Sequence, residues 1–471
     1  MTKRSPVSPA PGPLEEYAAR FDDLFSARAQ RHSFRRYLEG LLLPAERNKT
    51  LTALANTEPV VGAQRKEAQS LQWFLSESRW DYEQINRRRV ELLLEDPTTA
   101  PNDRGALVID ETGDRKDGKK TAHVGRQYLS SIGKIDNGVV SVSSLWADER
   151  VYYPLEVEPY TPGHHFQGGK EDPRFRTKPQ VALELVEAAV EGDIPFRAVV
   201  ADILYGEHRG FRKGLEKKRT PYVLALKPSY AWYRPITEPG TVEEVARVAS
   251  WEGPDDPGEW VKLSRTFRDG HTEEWWTLEA ECRPFGKEKP RRLVVATTDP
   301  VELPERTTWY LLTNLPAPGS SRATESKLIP AEVAEVVRLY SLRSWIEQSY
   351  KQMKNALGWA HYQVRSDPAI RRHWQLVCCA FTFCWWANTN LLLLNEQAPP
   401  GVVLEAEAAS SSASSVVVKR GEKGDSKPPA SSVLARGTKK GEEVAGAVRN
   451  AVALLEGVLG EAPAQGTAKA A

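Results

Sequence analysis

The chain is short of net charge, of cysteine and of long apolar runs. Its 64 Lys and Arg are balanced by 63 Asp and Glu, for a net charge of +1. Bulk charge gives no pull toward a polyanion, so any contact with nucleic acid must come from local patches. The four cysteines, Cys282, Cys378, Cys379 and Cys384, include an adjacent pair and have no zinc-finger spacing. That excludes an ordinary disulfide framework and predicts reduced, buried thiols in a cytosolic protein. The opening MTKRSPVSPAPGP holds no apolar core, so no signal peptide is expected. One apolar run, 374–394, is long enough to span a bilayer. It carries Gln375, Asn388 and Asn390 and follows Arg371, Arg372 and His373. Those residues predict a buried core helix and no membrane partner. No internal repeat is found.

The chain divides into blocks. At 471 residues, with 40% hydrophobic and 27% charged content, it has room for two or three soluble domains. Residues 14–100 read as helical, with apolar stripes such as Phe21, Leu24 and Phe25 or Tyr37, Leu38, Leu41 and Leu42. Arg28, Arg31, Arg35 and Arg36 form one cationic cluster and Arg87, Arg88 and Arg89 another. Each alone reads as a solvated helix face; together, in a compact helical domain, they could meet phosphates.

From Pro101 the pattern turns to α/β. ALVID (106–110) is an apolar strand ending in Asp110, followed by a turn-rich TGDRKDGKK. GVVSVSSLW and RVYYPLEVE form an expected antiparallel hairpin. A helix over 178–190 leads to RAVVAD, a buried strand ending in Asp202, then a basic helix and the strand YVLALK. Alternating strands and helices imply parallel pairing, with Asp202 at the end of a strand that faces a ligand crevice. Residues 229–315 are turn-rich and mostly β. Their Trp251, Trp260, Trp275 and Trp276 either stack on a displaced base or fill a β core, and the core reading is favoured. From 399 to 471 the composition falls to Ala, Ser, Gly and Lys, predicting a disordered tail with one short terminal helix.

The stretch 340–354, YSLRSWIEQSYKQMK, is predicted to be one continuous helix, with Leu342, Trp345, Ile346, Tyr350 and Met353 at helical spacing. Tyr340, Arg343, Glu347, Lys351 and Lys354 fall on one narrow stripe at about 100° per residue. A single acid thus stands among three cations and a phenol. The plain reading is a solvated face with Glu347 and Lys351 as a routine i,i+4 pair.

Tyr340, Arg343, Glu347 and Lys354 also match Y-x2-R-x3-E-x6-K in full. This resembles the signature around the catalytic Glu of bacterial insertion-sequence transposases of the DDE type. GRQYLSSIGKIDNGVVSVS and YQVRSDPAIRRHW strengthen the likeness. The resemblance implies an α/β fold: a ribonuclease-H-like core in two parts (101–228 and 316–398), a mostly β insertion (229–315), and a helical N-terminal domain. It implies Asp110, Asp202 and Glu347 as the catalytic carboxylates, holding two divalent ions, Mg or Mn. Tyr340, Arg343, Lys351 and Lys354 would hold DNA. The expected partners are the element's ends and target DNA, with a homodimer assembled on the ends, in the bacterial cytoplasm and at the nucleoid. The alternative is a domesticated transposase that binds DNA without cutting. Each carboxylate keeps a structural reading: Asp110 as a turn residue, Asp202 as a helix cap, Glu347 as a surface acid. Glu111, on the opposite strand face, and Asp114, in the turn, are the competitors of Asp110.

Overall fold

Ala106 to Ile109 are fully buried. A short run buried on both faces belongs at the centre of a sheet, covered on each side. In the computed structural model, which describes residues 7–397 apart from 11, 45–46, 234–238, 267–270 and 283–289, that is where it lies. The strands are β1 (Ala106–Arg115), β2 (Gly125–Leu129), β3 (Lys134–Ala147), β4 (Tyr152–Tyr160), β5 (Ala198–Ala201) and β6 (Tyr222–Leu226). They continue as β7 (Ala231–Tyr233), β8 (Pro239–Thr241), β9 (Val261–Thr266), β10 (Thr272–Cys282), β11 (Arg291–Thr297) and β12 (Thr308–Thr313). Ten of them form one sheet in the order β2-β3-β1-β5-β6-β12-β11-β10-β9, with β4 also on β3; β7 and β8 pair separately. β1, β5 and β6 run parallel, and the other pairs in this sheet are antiparallel.

The expected hairpin of GVVSVSSLW and RVYYPLEVE is the β3–β4 pair. The β character expected of 229–315 is present, and its strands β9 to β12 continue the central sheet through the β12–β6 pairing. Helices cover both faces. Successive residues of one strand point to opposite sides. Asp110 meets Arg343, beside the helix Ser344–Asn355, while Glu111 meets Lys178 of the helix Lys178–Glu191. The two helices therefore lie on opposite faces of β1.

Two expectations are corrected. β1 does not end at Asp110. Its parallel ladder with β5 stops at Ile109–Ala201, but antiparallel pairing with the long β3 carries it on to Arg115. Asp110 is thus mid-strand opposite Ser143, and Asp114 lies in the strand rather than in a turn. The stretch 340–354 is not one continuous helix. Val333–Ser341 and Ser344–Asn355 are joined by a tightened turn, in which the amides of Leu342, Arg343, Trp345 and Ile346 donate three residues back. The hydroxyls of Ser341 and Ser344 bond the carbonyls of Arg338 and Ser341, taking acceptors from the ordinary ladder.

The helix Asp367–Gln397 contains the apolar run, and its residues Leu376 to Cys384 are buried. No helix among the described residues is long and apolar enough to cross a membrane. The N-terminal helices Arg28–Leu42, Lys66–Ser76 and Tyr82–Glu95 pack on this helix. Cys378, Cys379 and Cys384 are free and buried; the Cys282 side chain and the tail 399–471 lie outside the described residues.

Several arginines of the two clusters read as solvated faces that could meet phosphates are internal. Arg35 is bound by Glu15 and Asp22 at 2.7 and 2.6 Å. Arg31 is buried, and Arg89 donates to the carbonyls of Pro154 and Leu155 across to β4. Of the insert's tryptophans, Trp260, Trp275 and Trp276 are buried, in line with the core reading.

Candidate active site

Three elements bring the acidic residues together. β1 delivers Asp110 just past the end of its ladder with β5. β5 delivers Asp202, the first residue beyond its end, which caps the short helix Ile203–Gly206 by accepting the Leu204 amide at 3.0 Å. The helix Ser344–Asn355 delivers Glu347 in its first turn, where a helix favours an acid. Arg343 lies between them. Its Nη2 donates to Asp110 Oδ2 at 3.0 Å and its Nη1 to Glu347 Oε1 at 2.8 Å. Glu347 therefore pairs one turn back with Arg343.

The three carboxylates differ in exposure. Asp110 is buried, Asp202 half-buried and Glu347 exposed. Burial pushes the Asp110 carboxyl up to about 8. The Arg343 guanidinium opposes that shift, while Asp202 and Glu347 add to it. Burial and like charges thus outweigh one arginine, leaving a centre short of positive charge. Arg343 is itself held firmly cationic by Asp110, Tyr340 and Glu347, against the effect of burial. Its Nε is buried with no partner among the described residues. No set of three His, Cys, Asp or Glu side chains among the described residues stands ready to hold a metal ion. The guanidinium occupies the space between two of the acids instead.

The remaining stripe residues spread outward. Tyr340 lies in the last turn of the preceding helix, its hydroxyl pushed up to about 12 by burial, and its ring packs edge-on against Trp309 of β12 at 5.1 Å. Lys351 is exposed. Lys354 pairs with Asp114 at 2.8 Å, so one competitor of Asp110 is already neutralised by a member of the signature. The other, Glu111, is bound by Lys178 at 2.5 Å and lies 3.5 Å from the Tyr205 hydroxyl on the far face. Tyr350 shares a hydrogen bond with Ser143 of β3, and Gln352 accepts from Tyr152 of β4 at 3.0 Å. These contacts clamp the helix onto the sheet.

Nothing in the sequence singles out Trp309. It holds the insert to the site: the Arg265 guanidinium lies 4.6 Å from the ring of Trp275 and 4.7 Å from that of Trp309. In the sequence it is one of two adjacent aromatics, with Tyr310, in an apolar strand, and nothing there points to Tyr340.

The family described as DDE superfamily endonuclease matches residues 20–281, a span that includes Asp110 and Asp202 and stops before Glu347. The chain is also similar to a protein of Microchaete diplosiphon named "Probable transposase for insertion sequence element IS701". Identity is 32% over 371 residues, covering 79% of this chain and 86% of the relative.

Proposed function

This chain belongs to the DDE superfamily endonucleases, and from that premise we propose that it is a transposase that cuts and joins DNA at the ends of an insertion element, with Asp110, Asp202 and Glu347 as its catalytic carboxylates. The observation that carries this reading is the convergence of Asp110 and Glu347 on one guanidinium, with Asp202 close enough to disfavour ionisation of Asp110. The strand order β4-β3-β1-β5-β6, antiparallel then parallel, supports a ribonuclease-H-like core in two parts, 101–228 and 316–398. Residues 14–100 are then the helical N-terminal region and 229–315 the insertion.

The donor set suits hard divalent cations. Three carboxylates offer oxygen ligands only, and the raised Asp110 marks a shortage of positive charge. Two Mg or Mn ions bound there would activate water or a 3′-hydroxyl and stabilise the leaving oxygen in an in-line displacement at phosphorus. The protein's own residues do the rest. Asp110 and Asp202 are set by the sheet, so their spacing is rigid. Glu347 is exposed on a helix and can adjust. Arg343 holds Asp110 and Glu347 together, and with cations bound to these acids its guanidinium would be available to a DNA phosphate. Tyr340, Lys351 and Lys354 extend that backbone contact along the helix. Cations neutralise phosphates and the phenol donates a hydrogen bond, so these residues position DNA without reading its sequence.

The test is cleavage of a labelled duplex from the DNA flanking the gene, with and without Mg or Mn, alongside binding. Asp110→Asn, Asp202→Asn and Glu347→Gln keep size and remove charge. Each is expected to lose nearly all metal-dependent cleavage while keeping DNA binding. A variant that cuts at the wild-type rate removes that residue from the set.

A further inference from the structure

The parallel ladder of β1 with β5 stops at Ile109–Ala201, one residue short of both Asp110 and Asp202. That pairing does not extend to the acids themselves. On the opposite face of the sheet, side chains span the same gap. Glu111 follows Asp110 in β1 and points the other way. Tyr205 belongs to the short helix Ile203–Gly206 that Asp202 caps. The Tyr205 hydroxyl stands 3.5 Å from Glu111 Oε2. Tyr205 is fully buried, with its ring 5.5 Å from that of Phe211, so packing holds the hydroxyl in place. Each of the two acids thus has a near neighbour in the chain on the far face, and those neighbours meet.

Lys178 completes the bridge. Its ammonium lies 2.5 Å from Glu111 Oε1 and 5.7 Å from the centre of the Tyr160 ring of β4. The side chains of Lys178 and Glu111 are 19% and 15% exposed, so the pair is screened little. Lys178 opens the helix Lys178–Glu191. A helix start favours acids and disfavours a cation, so local helix preference does not account for a lysine there. The ion pair with β1 does.

We infer that Lys178, Glu111 and Tyr205 are positioning residues, which hold Asp202 beside Asp110 from behind the sheet. The inference rests on the reading of Asp110 and Asp202 as catalytic carboxylates and adds what sets their separation. Groups that orient metal-binding carboxylates govern cation affinity almost as strongly as the ligands do. These three act through placement, on the face away from Arg343 and Glu347.

The experiment uses the full chain with a bound duplex from the DNA flanking the gene. Mn binding is followed by the electron-spin signal of the free ion, and duplex binding is measured separately in EDTA. Two variants keep the net charge: Tyr205→Phe and the double variant Lys178→Met/Glu111→Gln. Each is expected to bind Mn about 10-fold more weakly and to need correspondingly more Mg or Mn for half-maximal cleavage. Duplex affinity in EDTA and its salt dependence should stay at the wild-type level. Lys178→Arg keeps the ion pair and should keep wild-type Mn affinity. Adding Tyr205→Phe to Asp202→Asn should cause no further loss, because the effect passes through Asp202. Wild-type Mn affinity in folded Tyr205→Phe and in the double variant overturns the inference. So does a parallel fall in duplex binding, which marks general damage to the fold. If the double variant fails to melt cooperatively, Tyr205→Phe, which removes one hydroxyl, decides alone. Asp202→Asn is run beside them. If it loses Mn binding and cleavage while the other variants change nothing, only the bridge is wrong. If it binds Mn and cuts like wild type, the carboxylate assignment fails first and the inference falls with it.

Discussion

At the residue scale, Arg343 has one position in the structure and, under the proposed function, a second task that this position does not serve. Here it bridges Asp110 and Glu347, at 3.0 and 2.8 Å, inside the centre proposed to take cations and DNA. Its side chain and that of Asp110 are only 20% and 9% exposed, so this pair is not a screened surface contact. Removing one partner of a buried pair costs about 3–5 kcal/mol when the other charge stays behind, but Asp110, pushed up to about 8, takes a proton instead, which leaves the smaller cost of unmade hydrogen bonds. Arg343→Ala is therefore expected to lower stability by about 1–3 kcal/mol in EDTA, with much of the loss recovered in Mg or Mn. Thermal melts of both proteins with and without divalent ion check this. Equal melting of variant and wild type in EDTA would sink the bridging role. The sequence displays part of this arrangement. Arg343 and Glu347 stand four apart, so their pairing follows from helix geometry. The bond to Asp110 spans 233 positions and has no local signal. Likewise Asp114 looks like a turn residue until its partner Lys354 is seen.

At the element scale, what the sequence conceals is the neighbour. ALVID looks complete at Asp110 because the apolar run stops there. The strand continues since β3 offers Gly138 to Ser143 as partners, and a side chain at Gly113 would strike Leu129 and Val140. At the helix break at 342–343 two serines bond backwards to Arg338 and Ser341 carbonyls, a local feature that apolar spacing does not record. The short helix after Asp202 lies directly against β6. A Cβ on Gly206 would stand 1.8 Å from the Ala225 carbonyl oxygen of β6, so only glycine lets the turn lie there. Gly206→Ala must push this helix off the sheet, and Asp202, bonded to the Leu204 amide, moves with it. The expected result is a stability loss of roughly 1–3 kcal/mol and a larger fall in cleavage than in DNA binding. Chemical denaturation and cleavage of the flanking duplex measure both. Wild-type cleavage in Gly206→Ala would mean that Asp202 needs no such placement.

At the scale of the whole molecule, the first hundred residues and the last described helix are built into each other. Tyr17 packs on Phe383 and Trp386 at 5.4 and 5.7 Å between ring centres. The Tyr37 hydroxyl and His373 Nδ1 are 2.8 Å apart in the buried interior. Arg372 donates to the carbonyls of Leu75 and Trp80, and Arg89 to Thr382. Apolar stripes in 14–100 and 374–387 were readable as helix faces, but a stripe does not name the surface that covers it. The same packing explains why arginine clusters are weak guides to DNA: Arg31, Arg35 and Arg89 serve the interior, while Arg28 and Arg87 remain exposed. A helical region that buries its apolar side against a distant helix should not fold by itself. Residues 1–100 expressed alone are expected to lack a cooperative melt. Residues 101–471 alone should expose the apolar side of the helix Asp367–Gln397 and aggregate. Mixing the two under refolding conditions should restore helicity and DNA binding together. A cooperative, monomeric 1–100 fragment would show that the N-terminal helices are an independent domain. A DNA role for them is therefore to be sought in the full chain, through Arg28→Ala and Arg87→Ala, rather than in a fragment that has lost its fold.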